Sequence, residues 1–330
     1  MRVIFVEDRV VVRAVDTELT DIPVGSVITA INGIDSVEYL NKHQSRLSAH
    51  HPLLTRNAIL ASRFFWRSAR MEAFAIEAKT PTEETISEYL VFTSKEPSFS
   101  SFLPQVNYGN INDEPEYVTN TFWAQRHIGN ILRIRVEHFG DQHIEQEIRE
   151  YLINSFEADA VIIDVRGHSG GNSNFGLFLL SHFVDITQLN HPIGIFNGRR
   201  VYIAQEHLQL HKSLNEQSVG LYNLPIIILS DHFTGSAGED FVAVSKGVTP
   251  FTVMGTTTMG VTGNLTSWPL PGGGSFFITT QRTLTHNGQD IAHNGVAPDI
   301  WVEQTYRDLL SGIDTQLMSA IEYLQEKIYD

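Results

Sequence analysis

The sequence predicts an α/β protein: a small β-rich module followed by a larger core in which strands and helices alternate. Two observations predict the core. Ala160–Val165 and Leu224–Ser230 are short continuous apolar runs, the pattern of strands buried on both faces. Each run leads through a glycine-containing turn into a helical stretch, near Phe175–Phe183 and Ser236–Lys246, and such alternation builds a sheet with helices packed on it. The third observation concerns residues 1–95, where short β-branched runs and turn residues dominate instead.

The elements follow in order. Val10–Val15 reads as a strand, and Val27–Ile31 as a second one fed by the Pro23-Val24-Gly25 turn. Asn32-Gly33 is a strong tight-turn signal. A helix is expected next, with Asp35 or Ser36 as its N-cap and Val37, Leu40 and Leu47 on one face. A helical stretch over Leu53–Trp66 and a strand pair at Ala73–Ala78 and Ser87–Phe92 complete the module. Residues 96–124 carry scattered Pro, Ser, Gly and acidic residues without periodicity and read as a linker. The core, 125–330, begins with a strand at Ile131–Val136 and a helix over Ile144–Phe156, apolar at 144, 148, 152, 153 and 156. After the two apolar strands, a further strand ends at Gly255. Two more flank a Gly-rich turn at Gly272–Gly274, and a last helix covers Gln316–Ile328.

Composition narrows the function. The formal net charge is −15, with no run of basic residues, which argues against a nucleic-acid partner. No cysteine is present, which removes disulfides, thiolate metal sites and cysteine nucleophiles together. The 14 histidines are scattered; His50-His51 and the pair His286 and His293 stand in no metal-binding frame, so neither a metal nor a cofactor is expected. No apolar run approaches the ~20 residues of a membrane helix. Charges at positions 7–9 interrupt the place where a secretory signal keeps its apolar centre. The expectation is therefore either a cytoplasmic protein or a mature or truncated form of an exported one.

Two segments carry chemistry. Asp164-Val165-Arg166-Gly167-His168-Ser169-Gly170-Gly171-Asn172 lies between a buried strand and a helix. Its glycines permit backbone N–H groups to converge on a ligand, as an oxyanion hole requires. It matches neither a Walker A loop nor a dinucleotide-binding turn, and a plain strand–helix turn is the simpler alternative. Ser230-Asp231-His232-Phe233-Thr234-Gly235-Ser236-Ala237-Gly238-Glu239 also joins a strand to a helix. A serine there stands at the carboxyl end of the sheet, beside a helix N-terminus that favours developing negative charge. The competing reading is a capping box, with Ser236 as N-cap and Glu239 at the third helical position.

Taken together, these segments resemble peptidase family S41, the C-terminal processing or tail-specific proteases and their tricorn-like relatives. Asp164–Gly171 resembles the family's Asp-Leu-Arg-Gly-Asn-x-Gly-Gly, with His168 where asparagine is usual. Ser236-Ala237-Gly238-Glu239 resembles its Ser-Ala-x-x-Glu. Gly255–Gly260, Leu270–Gly273 and Gly295–Val302 resemble three further motifs in the family's order. Pro23–Gly33 resembles the turn of a PDZ module, a domain that binds extended peptides by strand addition. The resemblance implies a ClpP/crotonase-like α/β core after a PDZ-like domain, and a serine endopeptidase that acts on peptide or unfolded protein. It implies Ser236 as nucleophile and the backbone N–H groups of Gly170 and Ala237 as the oxyanion hole, with Asp164 and Arg166 holding the loop.

The resemblance breaks at the general base. Many family members carry a lysine, and a glutamine four residues later, where this chain has Val261 and Leu265. Lys246 lies about ten residues, or ~15 Å, along the helix that Ser236 opens. The tricorn-like branch carries an upstream histidine and a glutamate at the position of Ala292, with Asp290 nearby. The histidines left as candidate bases are His168, His50 or His51, and His138; Glu239 and Asp290 are candidate orienting carboxylates. The alternative reading is a silent S41-like scaffold that binds extended peptides without cutting them. An esterase would be expected to show a Gly-x-Ser-x-Gly elbow, which Thr234-Gly235-Ser236-Ala237-Gly238 is not.

Overall fold

Alternating and continuous apolar runs sort the chain into two compact units. The computed structural model describes residues 1–44, 56–58, 60–61, 73–91, 101–102, 115–119, 122–140, 143–155, 157–189, 193–196, 199–201, 214, 216–263, 265–285 and 287–329. The first unit takes the described residues of Met1–Ala49, Leu53–Tyr108 and Glu303–Met318, and the second takes those of Gly109–Val302 and Ser319–Asp330.

In the first unit, β1 (Arg2–Val6) and β2 (Arg9–Val15) form a hairpin whose turn residues Glu7 and Asp8 both have positive φ. β3 (Val27–Ile31) pairs with β2 and, through the Asn32-Gly33 turn, with β4 (Ile34–Asp35). Both turn residues are left-handed, at φ 52° and 75°, which is the conformation this dipeptide favours. Helix α1 (Ser36–Lys42) starts at Asp35, whose carboxylate accepts from the Val37 and Glu38 N–H groups at 3.0 Å each. β5 (Ala73–Lys79) and β6 (Thr85–Val91) complete the order β1-β2-β3-β5-β6, and β7 (Ser101–Phe102) pairs with β2. Phe74, Ile76 and Ala78 alternate into a core with Val10, Val12, Ile28, Ile31 and Leu40. The segment Glu303–Met318 belongs here rather than with the second unit; the Tyr306 hydroxyl donates to the Gly25 carbonyl at 2.8 Å.

The second unit is built on one seven-stranded sheet. Its elements are β8 (Tyr117–Val118), β9 (Phe122–His127), β10 (Ile131–Val136), α2 (Ile144–Ser155), β11 (Ala160–Asp164), α3 (Ser173–Ser181), β12 (Ile193–Phe196), β13 (Arg199–Val201), β14 (Ile226–Ser230), α4 (Ala237–Ser245), β15 (Phe251–Gly255), β16 (Leu265–Pro269), β17 (Ser275–Thr279), β18 (Arg282–Leu284) and β19 (Ile300–Trp301). The sheet order is β19-β15-β14-β11-β10-β9-β8, with β10, β11, β14, β15 and β19 parallel and β9 and β8 antiparallel. Every residue of β11 and β14 is buried, which explains why their sequences lack alternation. Ile163 and Ile228 sit opposite one another in that pair, and truncating either to alanine would cost about 2–5 kcal/mol.

Residues 96–124, expected as linker, contain β7, β8 and the start of β9. Their two-residue strands are too short to leave a periodicity, and the third has two buried apolar residues, Phe122 and Ala124, beside buried Gln125 and His127. β12, β13 and β18 form a small separate sheet, and β16 and β17 form a two-stranded hairpin. α3 lies against α4 at Gly176, where a methyl group would stand 3.0 Å from ring atoms of Phe139 and Phe241. Among the described residues, no helix is long and apolar enough to cross a membrane.

Candidate active site

Neighbouring parallel strands put their carboxyl ends side by side, so the loops after β11, β14 and β15 meet. Hydrogen bonds fasten them to each other. Gly167 N–H donates to the Asp231 carboxylate at 2.8 Å, and Thr234 Oγ1 donates to the Val165 carbonyl at 2.8 Å. Gly235 N–H donates to the His168 carbonyl at 2.9 Å, and Met259 N–H to the Thr234 carbonyl at 2.8 Å. Ser236 N–H donates to the Val261 carbonyl at 2.7 Å.

Ser236 sits at the junction of the three loops. Its backbone is at φ 54° and ψ −123°, a positive φ that a residue with a side chain seldom adopts. Its hydroxyl makes no cap hydrogen bond, although it directly precedes α4. Glu239 does not reach back to it either. The capping-box reading therefore fails: Ser236 is placed by its backbone partner, and its hydroxyl is left for other use.

Gly170 packs onto this serine. A methyl at Gly170 would stand 2.7 Å from Ser236 Cβ and 3.0 Å from its Oγ, and the residue is left-handed at φ 114°. The loop is pinned by Phe139, whose N–H donates to the Gly170 carbonyl and whose carbonyl accepts from Asn172 N–H, both at 2.8 Å. The Gly170 N–H differs from expectation. It donates to Nδ1 of His168 at 3.1 Å, a side-chain-to-backbone turn of the kind asparagine makes. The Ala237 N–H, by contrast, has no acceptor among the described residues.

His168 is fully buried, its ring centroid 4.3 Å from that of Phe139 with the planes tilted by 57°, and its Nε2 has no partner among the described residues. Burial holds its pKa down to about 4, with the nearby His138 adding to the effect. It is therefore neutral at neutral pH, and it makes no hydrogen bond to Ser236. His138 turns its Nδ1 to Gly140 N–H at 3.0 Å. His50 and His51 lie outside the described residues. Asp290 caps the short helix Ile291–Asn294 and pairs with Arg282 at 2.5 Å.

Glu239 has a different job from either one expected of it. The side chain is fully buried, with no cation beside it among the described residues. One carboxylate oxygen accepts from the Thr258 hydroxyl at 2.5 Å and the Gly260 N–H at 2.6 Å, and the other from the Val261 N–H at 2.7 Å. Thr258 Oγ1 accepts in turn from Val296 N–H at 2.8 Å. Glu239 thus holds the loop whose Val261 carbonyl holds Ser236. Burial pushes its pKa up to about 7 against the three hydrogen bonds, and neighbouring Asp240 adds to the rise. Asp240 itself accepts from Ser173 Oγ at 2.7 Å and Thr262 Oγ1 at 3.1 Å.

Asp164 anchors the first loop, as expected, but with more partners than Arg166. Arg133 and Arg135 come from neighbouring β10 to join Arg166 around one buried carboxylate; Arg135 and Arg166 lie at 3.0 and 2.8 Å. Burial alone would raise its pKa, but Arg166, Arg133 and Arg135 hold it well below the usual carboxylate range. Arg133 and Arg135 were overlooked in the sequence because only the parallel register sets Arg135 opposite Asp164. A buried-looking strand carrying two arginines two residues apart was the available signal.

The family model of peptidase family S41 matches residues 130–302, more than half of the chain and the whole of these three loops. The chain belongs to peptidase family S41. Within S41, it is similar to the carboxy-terminal processing protease CtpB of Bacillus subtilis (strain 168), 27% identical over 150 residues; the match spans 45% of this chain and 28% of that one. It is similar in fold to a solved putative peptidase from Parabacteroides merdae ATCC 43184, with a TM-score of 0.52 and 24% identity over 63% of this chain and 65% of that one. It is also similar to mature CPAF complexed with lactacystin, with a TM-score of 0.66 and 14% identity over 99% of this chain and 81% of that one. The S41 fold is thus present, an α/β core with an N-terminal β-rich region. The chain spans well under two thirds of the curated relative it matches.

Proposed function

We propose that this chain is a serine endopeptidase that cleaves extended polypeptides through an acyl-enzyme on Ser236. The observation that carries the reading is the backbone of Ser236: a non-glycine residue at φ 54° between a buried strand and a helix N-terminus, with its hydroxyl making no cap hydrogen bond. Such strain costs on the order of 1–3 kcal/mol and clusters at reactive sites. In this reading the hydroxyl attacks the scissile carbonyl, and the helix N-terminus with the open Ala237 N–H receives the oxyanion. Gly170 offers the second N–H once that group leaves His168 Nδ1. The N-terminal unit is read as a PDZ-like peptide-binding domain, supported by the Asn32-Gly33 turn and the antiparallel sheet.

A hydroxyl nucleophile needs a base. His168 is a poor one here, since Nδ1 is occupied and no hydrogen bond reaches Ser236. His138 likewise has its Nδ1 turned to the Gly140 N–H, and we propose His51, or His50, as the base. The second reading, a peptide-binding scaffold without turnover, is favoured by one observation: Val261 and Leu265 stand where many S41 members carry lysine and glutamine. A serine-directed phosphonate read by mass spectrometry separates the two. Labelling of Ser236 in the wild type, absent in Ser236→Ala and strongly slowed in His51→Ala or His50→Ala, is expected. An unlabelled wild type between about pH 6 and 9, a range set by histidine titration, favours the scaffold. Labelling that survives both histidine variants but not His168→Ala would move the base to the loop.

A further inference from the structure

The β16–β17 hairpin stands apart from the buried sheet of the second unit. All but one of its ten strand residues are exposed. Large apolar side chains stand on both faces: Trp268 and Phe276 directly opposite each other with Ile278 beside them on one face, and Leu265 and Phe277 on the other. Phe277 is 61% and Trp268 58% exposed. The hairpin pairs with no other strand among the described residues, so each strand has an open edge. A lone two-stranded hairpin with apolar faces is marginal in water, and an apolar patch of this kind marks an interaction site.

Two facts select the occupant. First, the hairpin is continuous with the candidate active site. Val261, whose carbonyl binds Ser236 N–H, lies four residues before β16. The arms close at Gly263, where a methyl group would stand 2.5 Å from the Gln281 carbonyl oxygen, so the hairpin springs from the loop that holds the serine. Second, residues 255–281 contain no Asp, Glu, Lys or Arg, in a chain whose net charge is −15. An uncharged ledge inside a negative protein accepts apolar chain and disfavours acidic chain. Edges differ as well. β16 ends in Pro269, which has no N–H to offer, whereas β17 has no proline and loses no donor along its outer edge.

We propose that this hairpin docks an extended, uncharged apolar segment of the polypeptide substrate, added as a strand along β17 and leading toward Ser236. The proposal rests on the peptidase reading for its direction, but its test does not need turnover. Full-length Ser236→Ala is titrated into a fluorescein-labelled peptide of about ten uncharged residues, the length of a long strand, rich in Val, Leu and Thr. A second peptide carries Glu at alternate positions. Anisotropy is expected to report binding of the first peptide and at least about tenfold weaker binding of the second. Trp268→Ser with Phe277→Ser is expected to weaken the first by at least about tenfold, as loss of aromatic anchors does. A thermal midpoint close to that of the parent checks that these exposed substitutions leave the fold intact. Equal binding with and without the two aromatics overturns the proposal. So does sedimentation showing a dimer that the double variant dissolves, which would assign the hairpin to a second copy of the chain. An unlabelled wild-type serine with aromatic-dependent peptide binding would sink the peptidase reading and leave the docking surface standing.

Discussion

Glu239→Gln tests how the serine is held. The carboxylate takes three donors, with Thr258 and Gly260 on one oxygen and Val261 on the other. Glutamine keeps the volume but has one acceptor oxygen. If that oxygen serves Thr258 and Gly260, the amide NH2 meets the Val261 N–H, donor against donor. One charge-assisted bond of about 1.5–3 kcal/mol becomes a repulsive contact, and the loop that binds Ser236 loosens. Titration supplies an independent signature. Glu239 has a folded-state pKa of about 7 against 4.5 for an exposed glutamate. Between those values the folded state binds the proton better, so this group's contribution is full below about pH 4.5 and is lost as pH rises through about 7. The change amounts to about 3 kcal/mol. The assay is urea unfolding of wild type and Glu239→Gln from about pH 5 to 8, with phosphonate labelling of Ser236 in parallel. The wild type should lose stability relative to the variant as pH rises, and the variant should label more slowly above about pH 7, where the wild-type carboxyl is ionised. Parallel stability profiles, or unchanged labelling, would refute the idea that this carboxyl sits buried and holds the serine loop.

Three further outcomes follow from the same geometry. Gly170→Ala forces a side chain into φ 114° with its methyl 2.7 Å from Ser236 Cβ; a loss of about 2–4 kcal/mol in thermal unfolding and loss of labelling are expected. Asp164→Ala leaves Arg133, Arg135 and Arg166 without their shared carboxylate; denaturant unfolding should show a loss of about 3–5 kcal/mol. His168 has its pKa held at about 4 by burial, against 6.5 when exposed. Its contribution is present above about pH 6.5 and is lost as pH falls through 4, so His168→Asn should flatten the acid limb of unfolding by up to about 3 kcal/mol.

Much of this architecture is legible in the residues. β11 and β14 announce themselves as unbroken apolar runs because both faces of each are covered. Asp35 caps α1 as its residue type predicts, and Asn32-Gly33 makes its turn because both residues tolerate left-handed backbone. What was missed has a common cause. β1 is short and partly exposed, and β7 and β8 have two residues each, so no period forms. At the site, Ser236, Gly170 and Asp164 stand in recognisable segments. Their partners do not: Val261, Thr258, Arg133 and Arg135 are brought in by parallel pairing across the sheet, at separations no local pattern reports. The Ser-x-x-Glu spacing leaves a cap open for Glu239 because it is the same whether the glutamate turns back to the serine or forward to another loop.

The distinction between an enzyme and a silent scaffold can be argued from energy as well as from the missing lysine. Val261 serves Ser236 through its backbone carbonyl, a contact any residue at that position can make. Replacing lysine there removes a base without disturbing the serine's placement, so the departure from the common S41 pattern and the intact serine turn are compatible. A scaffold that only binds peptide gains nothing from a serine at φ 54°, since glycine adopts that backbone without the steric cost. Nor does it need a buried glutamate strapping the neighbouring loop to the same turn. Both features cost stability, and both act on the position of one hydroxyl. Their presence together is the physical argument for chemistry at Ser236.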